Sequence, residues 1–187
     1  DFAALSVSEL ARRHGMQLVD VQAQAVHGGS MRYYIRQGTD NDVSSRLGES
    51  MAAERACGLH RSGDYSRFRD DVDRVSADLR RALEEICARG ETVVGYGATS
   101  KSTTLQNYAG IGPDLIAYIS DTTPTKIGKF TPGTHIPVRS HECFRDDSPP
   151  YALLLAWNHR REILKKEESY RQQGGKFITF FPELKIE

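Results

Sequence analysis

The stretch Val93-Val94-Gly95-Tyr96-Gly97-Ala98-Thr99-Ser100-Lys101-Ser102, followed shortly by Asn107, decides how this chain is read. Its apolar start predicts a short buried strand, its glycines a tight turn, and its hydroxyls the first turn of a helix. A helix N-terminus presents unpaired backbone N–H groups and the positive end of the helix dipole, so it attracts anions. Gly95 and Gly97 let the main chain come close to an anion, and Lys101 adds a mobile positive charge. Thr99, Ser100, Ser102 and Thr103 add hydroxyls. The segment reads as a turn that holds phosphate. It departs from two common phosphate loops: Ser100 stands where a dinucleotide fingerprint has its third glycine, and no glycine precedes Lys101 as in a P-loop. A tight turn without a ligand is the alternative reading.

Downstream, apolar strands are expected at residues 115–121, 151–157 and 176–181, with helices at 100–108 and 158–173. Strands apolar on both faces and separated by helices imply a parallel sheet covered on both sides. The fold class is α/β, a Rossmann-like doubly wound parallel sheet that takes ligands at the C-terminal strand ends. Asp121 closes the second of these strands, about 20 residues past the glycines, where an acid binds ribose hydroxyls. It equally opens the turn Asp121-Thr122-Thr123-Pro124. Residues 126–137 form a loop stiffened by two prolines on the ligand side, which makes Lys126, Pro132, Gly133 and His135 ligand-contact candidates. Asn158, after Trp157, is read either as a helix N-cap or as a contact at the strand edge.

Upstream, Ser6 or Ser8 is expected to cap a helix that stops at Gly15. Residues 17–22 and 31–36 read as strands of an antiparallel hairpin across His27-Gly28-Gly29-Ser30. His27 reads as a turn residue or one facing a cleft, within reach of Arg32 and Tyr33. Helix, strand, turn, strand is how many S-adenosylmethionine-dependent methyltransferase domains end. Residues 38–45 are polar and read as a linker. Residues 46–89 are helical in two pieces broken at 62–64, the second with Phe68, Val72, Val75, Leu79, Leu83 and Ile86 on one face. The expected division is residues 1–40, a helix and a hairpin; 41–90, a helical connector; and 91–187, a Rossmann-like ligand-binding domain.

Lys plus Arg and Asp plus Glu balance at 25 each among 187 residues. A neutral chain argues against general binding to nucleic acid or anionic membranes. Cys57, Cys87 and Cys143 have no Cys-x-x-Cys spacing and fit isolated thiols in a reducing cytoplasm. No apolar run reaches the ~20 residues of a membrane span, and no signal peptide opens the chain. No His or Cys cluster has metal-ligand spacing. The opening Asp1-Phe2-Ala3-Ala4-Leu5 reads as the middle of a longer protein.

His27-Gly28-Gly29-Ser30 with Arg32, then Gly95-Tyr96-Gly97-Ala98 with Lys101 and Asn107, resemble the sugar C-methyltransferase family. So do Ile111-Gly112-Pro113-Asp114-Leu115 with Asp121, and Lys126 with Thr131-Pro132-Gly133-Thr134-His135-Ile136-Pro137. The resemblance covers nearly the whole chain. It implies methylation at carbon 3 of a nucleotide-linked 4-keto-deoxysugar, most naturally a thymidine diphosphate sugar, in bacterial antibiotic or surface-glycan pathways. It also implies three parts: a zinc-binding module, an S-adenosylmethionine domain and a C-terminal Rossmann-like domain, with the nucleotide-sugar between the last two.

This chain resembles the end of the second part and the whole of the third. It lacks the family's zinc cysteines, its glycine-rich cofactor loop and its catalytic Glu-His pair. The resemblance therefore assigns S-adenosylmethionine and zinc to upstream regions, and leaves only His27 near the methyl transfer. Gly28, Gly29, Ser30 and Arg32 join Gly95, Tyr96, Gly97, Ser100, Lys101, Ser102, Thr103, Asn107 and Asp121 as substrate-binding candidates. Two rivals stand: an NAD(P)-dependent oxidoreductase domain, and a non-catalytic nucleotide-binding module.

Overall fold

The computed structural model describes residues 2–26, 29–181 and 183–187, apart from the side chains of Ser62 and Asp64. His27 and Gly28 lie outside the described residues. The chain divides into two compact units, Asp1–Asp70 and Asp71–Glu187. The stretch read as a connector is shared between them.

The first unit contains α1 (Ala4–Arg13), β1 (Met16–Gln24), β2 (Ser30–Gln37), α2 (Ser45–Ala56) and the start of α3 (Ser62–Ala88). β1 and β2 form the expected antiparallel hairpin, from Met16 opposite Gln37 to Gln24 opposite Ser30. One apolar cluster joins Ala4 and Val7 of α1, Leu18 and Val21 of β1, and Leu47 of α2. The cap of α1 is Ala3, not Ser6 or Ser8. Ser6 accepts the Ala3 N–H at 3.1 Å. The Glu54 carboxylate of α2 takes the N–H groups of Ala4 and Leu5 at 2.6 and 2.8 Å. A carboxylate at the positive end of the helix does what a capping hydroxyl would do. The helix break lies at residues 57–61, and residues 62–64 open α3 instead. Gly63 lies in the first turn of α3.

The second unit continues α3 and adds β3 (Val93–Tyr96), α4 (Ser100–Ala109), β4 (Ile119–Asp121), β5 (Val138–Ser140), α5 (His141–Asp147) and β6 (Tyr151–Leu154). A 3₁₀ turn (Trp157–His159), α6 (Arg160–Lys166), α7 (Glu168–Gln172), β7 (Lys176–Thr179) and β8 (Lys185–Ile186) complete it. The sheet order is β5-β4-β3-β6-β7-β8. The first five strands are parallel, and β8 runs antiparallel to β7. The unit is α/β with a mostly parallel six-stranded sheet.

Along β3, β6 and β7 side chains alternate between two apolar clusters. Val93, Leu153 and Ile178 pack with Leu79, Leu83 and Ile86 of α3. Val94, Ala152 and Phe177 pack with Phe144 of α5, Ile163 of α6 and Tyr170 of α7. Both faces are therefore apolar and helix-covered, which is why the strands read as continuous hydrophobic runs. From β3 the chain moves to β4 and β5 on one side, then crosses back to β6 on the other. That reversal opens a crevice at the C-terminal ends of β3 and β6.

Three readings change. The strand expected at 115–121 is regular only from Ile119, because the N–H groups of Leu115 and Ile116 turn back to the Gly112 carbonyl at 3.1 and 3.0 Å. The helix expected over 158–173 breaks at Glu167, whose side chain is drawn inward and buried. β5 begins only at Val138, the last residue of the stretch 131–138 read as a loop with room for a short strand, and α5 and β8 went unread: they are short, and the polar residues of α5 hide its single buried face.

Candidate functional site

The turn after β3 carries the geometry expected of a helix start. Thr99 is the N-cap of α4: its hydroxyl accepts the Ser102 N–H at 3.1 Å, and the Ser102 hydroxyl accepts the Thr99 N–H at 3.0 Å. This reciprocal pair occupies both side chains. Gly97, at φ +92°, lies so close to the start of the next crossover that a Cβ there would meet the Ala156 Cβ at 2.8 Å. The turn is thus pressed against the end of β6.

Asp121 is held from three directions. Its Oδ2 accepts the Ala98 N–H at 2.7 Å and meets Lys126 Nζ at 3.3 Å, and its Oδ1 accepts the Thr123 N–H at 2.8 Å. Lys126 also donates to the Ala98 carbonyl at 2.7 Å. Burial, the largest influence, pushes the carboxyl up, yet the hydrogen bonds from Thr123 and Ala98 and the Lys126 charge outweigh it and hold the group below its ordinary range. The anion beside the start of α4 is the chain's own carboxylate. Asp121 and Lys126 clamp the turn to the following loop, which leaves little of the carboxylate for a ribose.

Two cavities flank this clamp. The larger, about 430 Å³, is lined by Tyr96, Gly97, Thr99, Ser120, Asp121 and residues beyond, among them His141, His159, Glu162 and Lys166. The smaller, about 230 Å³, is lined by Ser100, Thr103, Thr125, Lys126, Lys129 and Pro132, with Thr99 shared. The smaller is rich in hydroxyls and has two lysines beside a helix N-terminus. Charge-assisted hydrogen bonds of this kind suit phosphate oxygens.

Tyr96 places its ring edge-on to Phe144 and Phe177 and gives its hydroxyl proton to the buried Glu167 at 2.8 Å. Burial and the Glu167 carboxylate both push its phenol well above its ordinary value. Lys101 is exposed, stands 5.0 Å over the Trp157 ring and lines neither cavity. Asn107 spans from α4 to the stiff loop: its amide donates to the carbonyls of Thr103 and Pro132 at 2.8 and 3.0 Å. A Cβ at Gly133 would lie 2.1 Å from its Oδ1, so the clip requires glycine there. His135 is exposed at φ +56°. Asn158 lies inside the 3₁₀ turn and is not a cap. Gly29, Ser30 and Arg32 belong to the first unit, and Gly95 is buried within β3.

Sequence reasoning missed Ser120, His141 and Glu167, whereas Lys129 of the smaller cavity lies in the loop read as a ligand contact. His141 opens α5 directly after β5, and recognising that strand would have placed it at the crevice. Glu167 gave no signal, since nothing in a charged helix marks one carboxylate as buried.

Among the described residues no helix is long and apolar enough to cross a membrane. Among the same residues no group of three or more His, Cys, Asp or Glu side chains could hold a metal ion.

A profile of the C-methyltransferase C-terminal domain matches residues 25–182. The chain is 38% identical over 186 residues to C-methyltransferase NovU of Streptomyces niveus, covering 99% of this chain and 44% of that protein. It spans less than half the length of that curated relative. The match takes in the turn after β3, Asp121, the stiff loop and both cavities, so the chain belongs to the C-methyltransferase C-terminal domain family.

Proposed function

We propose that this chain is the substrate-holding part of an S-adenosylmethionine-dependent methyltransferase acting at carbon 3 of a nucleotide-linked 4-keto-deoxysugar, with thymidine diphosphate as the nucleotide. The observation that carries the reading is the smaller cavity, where Ser100, Thr103 and Thr125 meet Lys126 and Lys129 at the start of α4. Hydroxyls, ammonium groups and a helix N-terminus in one small cavity suit a diphosphate. The larger cavity beside it has room for the rest of a nucleotide-sugar.

The chemistry assigned to the whole enzyme is proton removal from carbon 3, acidified by the neighbouring ketone, followed by attack of the enolate on a methyl group. S-adenosylmethionine supplies that methyl as a sulfonium. As the resemblance implies, cofactor and zinc are assigned to other parts of the enzyme, and this chain's work is binding and orientation. Cytoplasmic residence fits three cysteines that are all unpaired. The oxidoreductase rival asks Asp121 to hold a ribose, and the internal engagement of that carboxylate counts against it.

Calorimetric titration with thymidine diphosphate tests the reading. Lys129→Ala combined with Thr103→Val should weaken binding about tenfold, roughly 1.4 kcal/mol. An unchanged Kd would overturn the diphosphate assignment, and preferential binding of NAD would favour the oxidoreductase.

A further inference from the structure

Ser120, His141 and Glu167 come from three separate elements and meet at the wall of the larger cavity. Ser120 is in β4, His141 opens α5, and Glu167 sits between α6 and α7. All three are buried, yet Ser120 and His141 line the cavity. His141 Nδ1 lies 3.3 Å from the Ser120 hydroxyl, and Nε2 lies 3.0 Å from Glu167 Oε1.

The proton positions follow from elementary electrostatics. Nε2 is buried and makes no aligned hydrogen bond, so the Glu167 contact is close but off-axis. A nitrogen lone pair turned to a carboxylate at that distance would be repelled, whereas an N–H is attracted from either angle. The proton of a neutral ring therefore sits on Nε2. The ring is neutral because burial, reinforced by Lys166 and Arg145, outweighs the attraction of Glu167 and pulls its pKa below the ordinary value. Nδ1 is then an acceptor, and a neutral imidazole offers one donor and one acceptor. The Ser120 hydroxyl gives its proton to Nδ1, so its oxygen lone pairs are left for the cavity.

We propose that Ser120 is a specificity-determining acceptor in the larger cavity, fixed in that role by His141 and Glu167, and that it selects a ligand bearing a hydrogen-bond donor. The inference rests on the nucleotide-sugar reading above, under which the donor is the imide N–H of a pyrimidine base or a hydroxyl of the attached sugar. A buried group built to pair with a donor rejects an analogue that lacks one, because the acceptor is then left unpaired.

Two measurements test it. Nitrogen-15 NMR of the chain at pH 7 should show His141 neutral with its proton on Nε2; a proton on Nδ1, or a charged ring, overturns the proposal without touching the nucleotide-sugar reading. Titrations then use thymidine diphosphate, N3-methylthymidine diphosphate and thymidine diphosphate glucose against wild type and Ser120→Ala. If the base is the donor, Ser120→Ala and N3-methylation each cost about tenfold, and together no more than either alone. If the sugar is the donor, only the extra affinity of the glucose compound over thymidine diphosphate is lost in Ser120→Ala. Equal affinities of wild type and Ser120→Ala for all three ligands overturn the acceptor role alone. No binding of any ligand to wild type overturns it together with the nucleotide-sugar reading. Should Ser120→Ala fail to fold, Glu167→Gln is the second variant: it frees the ring to change tautomer and should weaken the same ligand, and unchanged affinity counts against the proposal.

Discussion

The carboxylate of Asp121 accepts the backbone N–H of Ala98 at 2.7 Å, which joins the end of β4 to the turn after β3. Removing it in Asp121→Ala leaves the N–H groups of Ala98 and Thr123 and the Lys126 ammonium without their shared acceptor. The expected loss is about 3 kcal/mol of unfolding free energy, read as a lower urea midpoint. Because the folded carboxyl lies below its ordinary range, its contribution is present above the usual carboxylate pKa and is lost as pH falls through the folded value. Asp121→Ala should therefore flatten the acid end of the stability curve; a parallel acid limb in both proteins would refute this.

His141 works in the opposite direction from a histidine stabilised by a salt bridge. Its folded pKa is lowered, so the unfolded chain takes up a proton first. Stability is complete above about pH 6.5 and falls as pH drops below it, until the folded pKa is passed. Thermal midpoints measured from pH 8 to pH 5 should drop less in His141→Gln than in wild type.

At Gly97 the turn allows no side chain. Gly97→Ala places a methyl 2.8 Å from the Ala156 Cβ and forces alanine to φ +92°. The expected cost is about 2–3 kcal/mol. Adding Ala156→Gly should recover the contact part but not the backbone part, so the double variant should melt between the single variant and wild type.

Thr99→Ala breaks the reciprocal cap of α4 and should cost about 1 kcal/mol, while Thr99→Ser should cost less than half of that. Both values are accessible by chemical denaturation. Equal losses would mean that the Thr99 methyl, not its hydroxyl, matters.

Asn107→Leu keeps the size of the side chain but removes the donor to Pro132. The loop at residues 131–136 should then be cut faster by protease, with little change in the global unfolding midpoint, since opening there is local. Unchanged cleavage would show that the hydrogen bonds of Thr131 to Ile136 and Thr134 hold the loop by themselves.

Much of the second unit was legible because long-range and local signals agree there. Val93, Val94 and the run 151–155 are apolar on both faces, as a covered parallel strand must be. Thr99 and Ser102 stand at capping-box spacing. The stretches that misled are those where tertiary contacts override local pattern. Leu115 and Ile116 look like strand residues but turn back to Gly112. Glu167 breaks a helix because Tyr96, 71 positions away, draws it inward. The site was half legible for the same reason. Glycines, hydroxyls and lysines mark the turn as a candidate for holding an anion from composition, whereas the pairing of Ser120, His141 and Glu167 exists only once three elements have packed.

In the first unit every described residue of β2 is exposed or half-exposed, and among the described residues β2 pairs only with β1. Met31, Tyr34 and Ile35 stand out from it into solvent. An open strand edge with apolar side chains is a template for another strand. In concentrated solution this chain alone is expected to associate through that edge, so a lysine at Ile35 is a sound first change for keeping it dispersed.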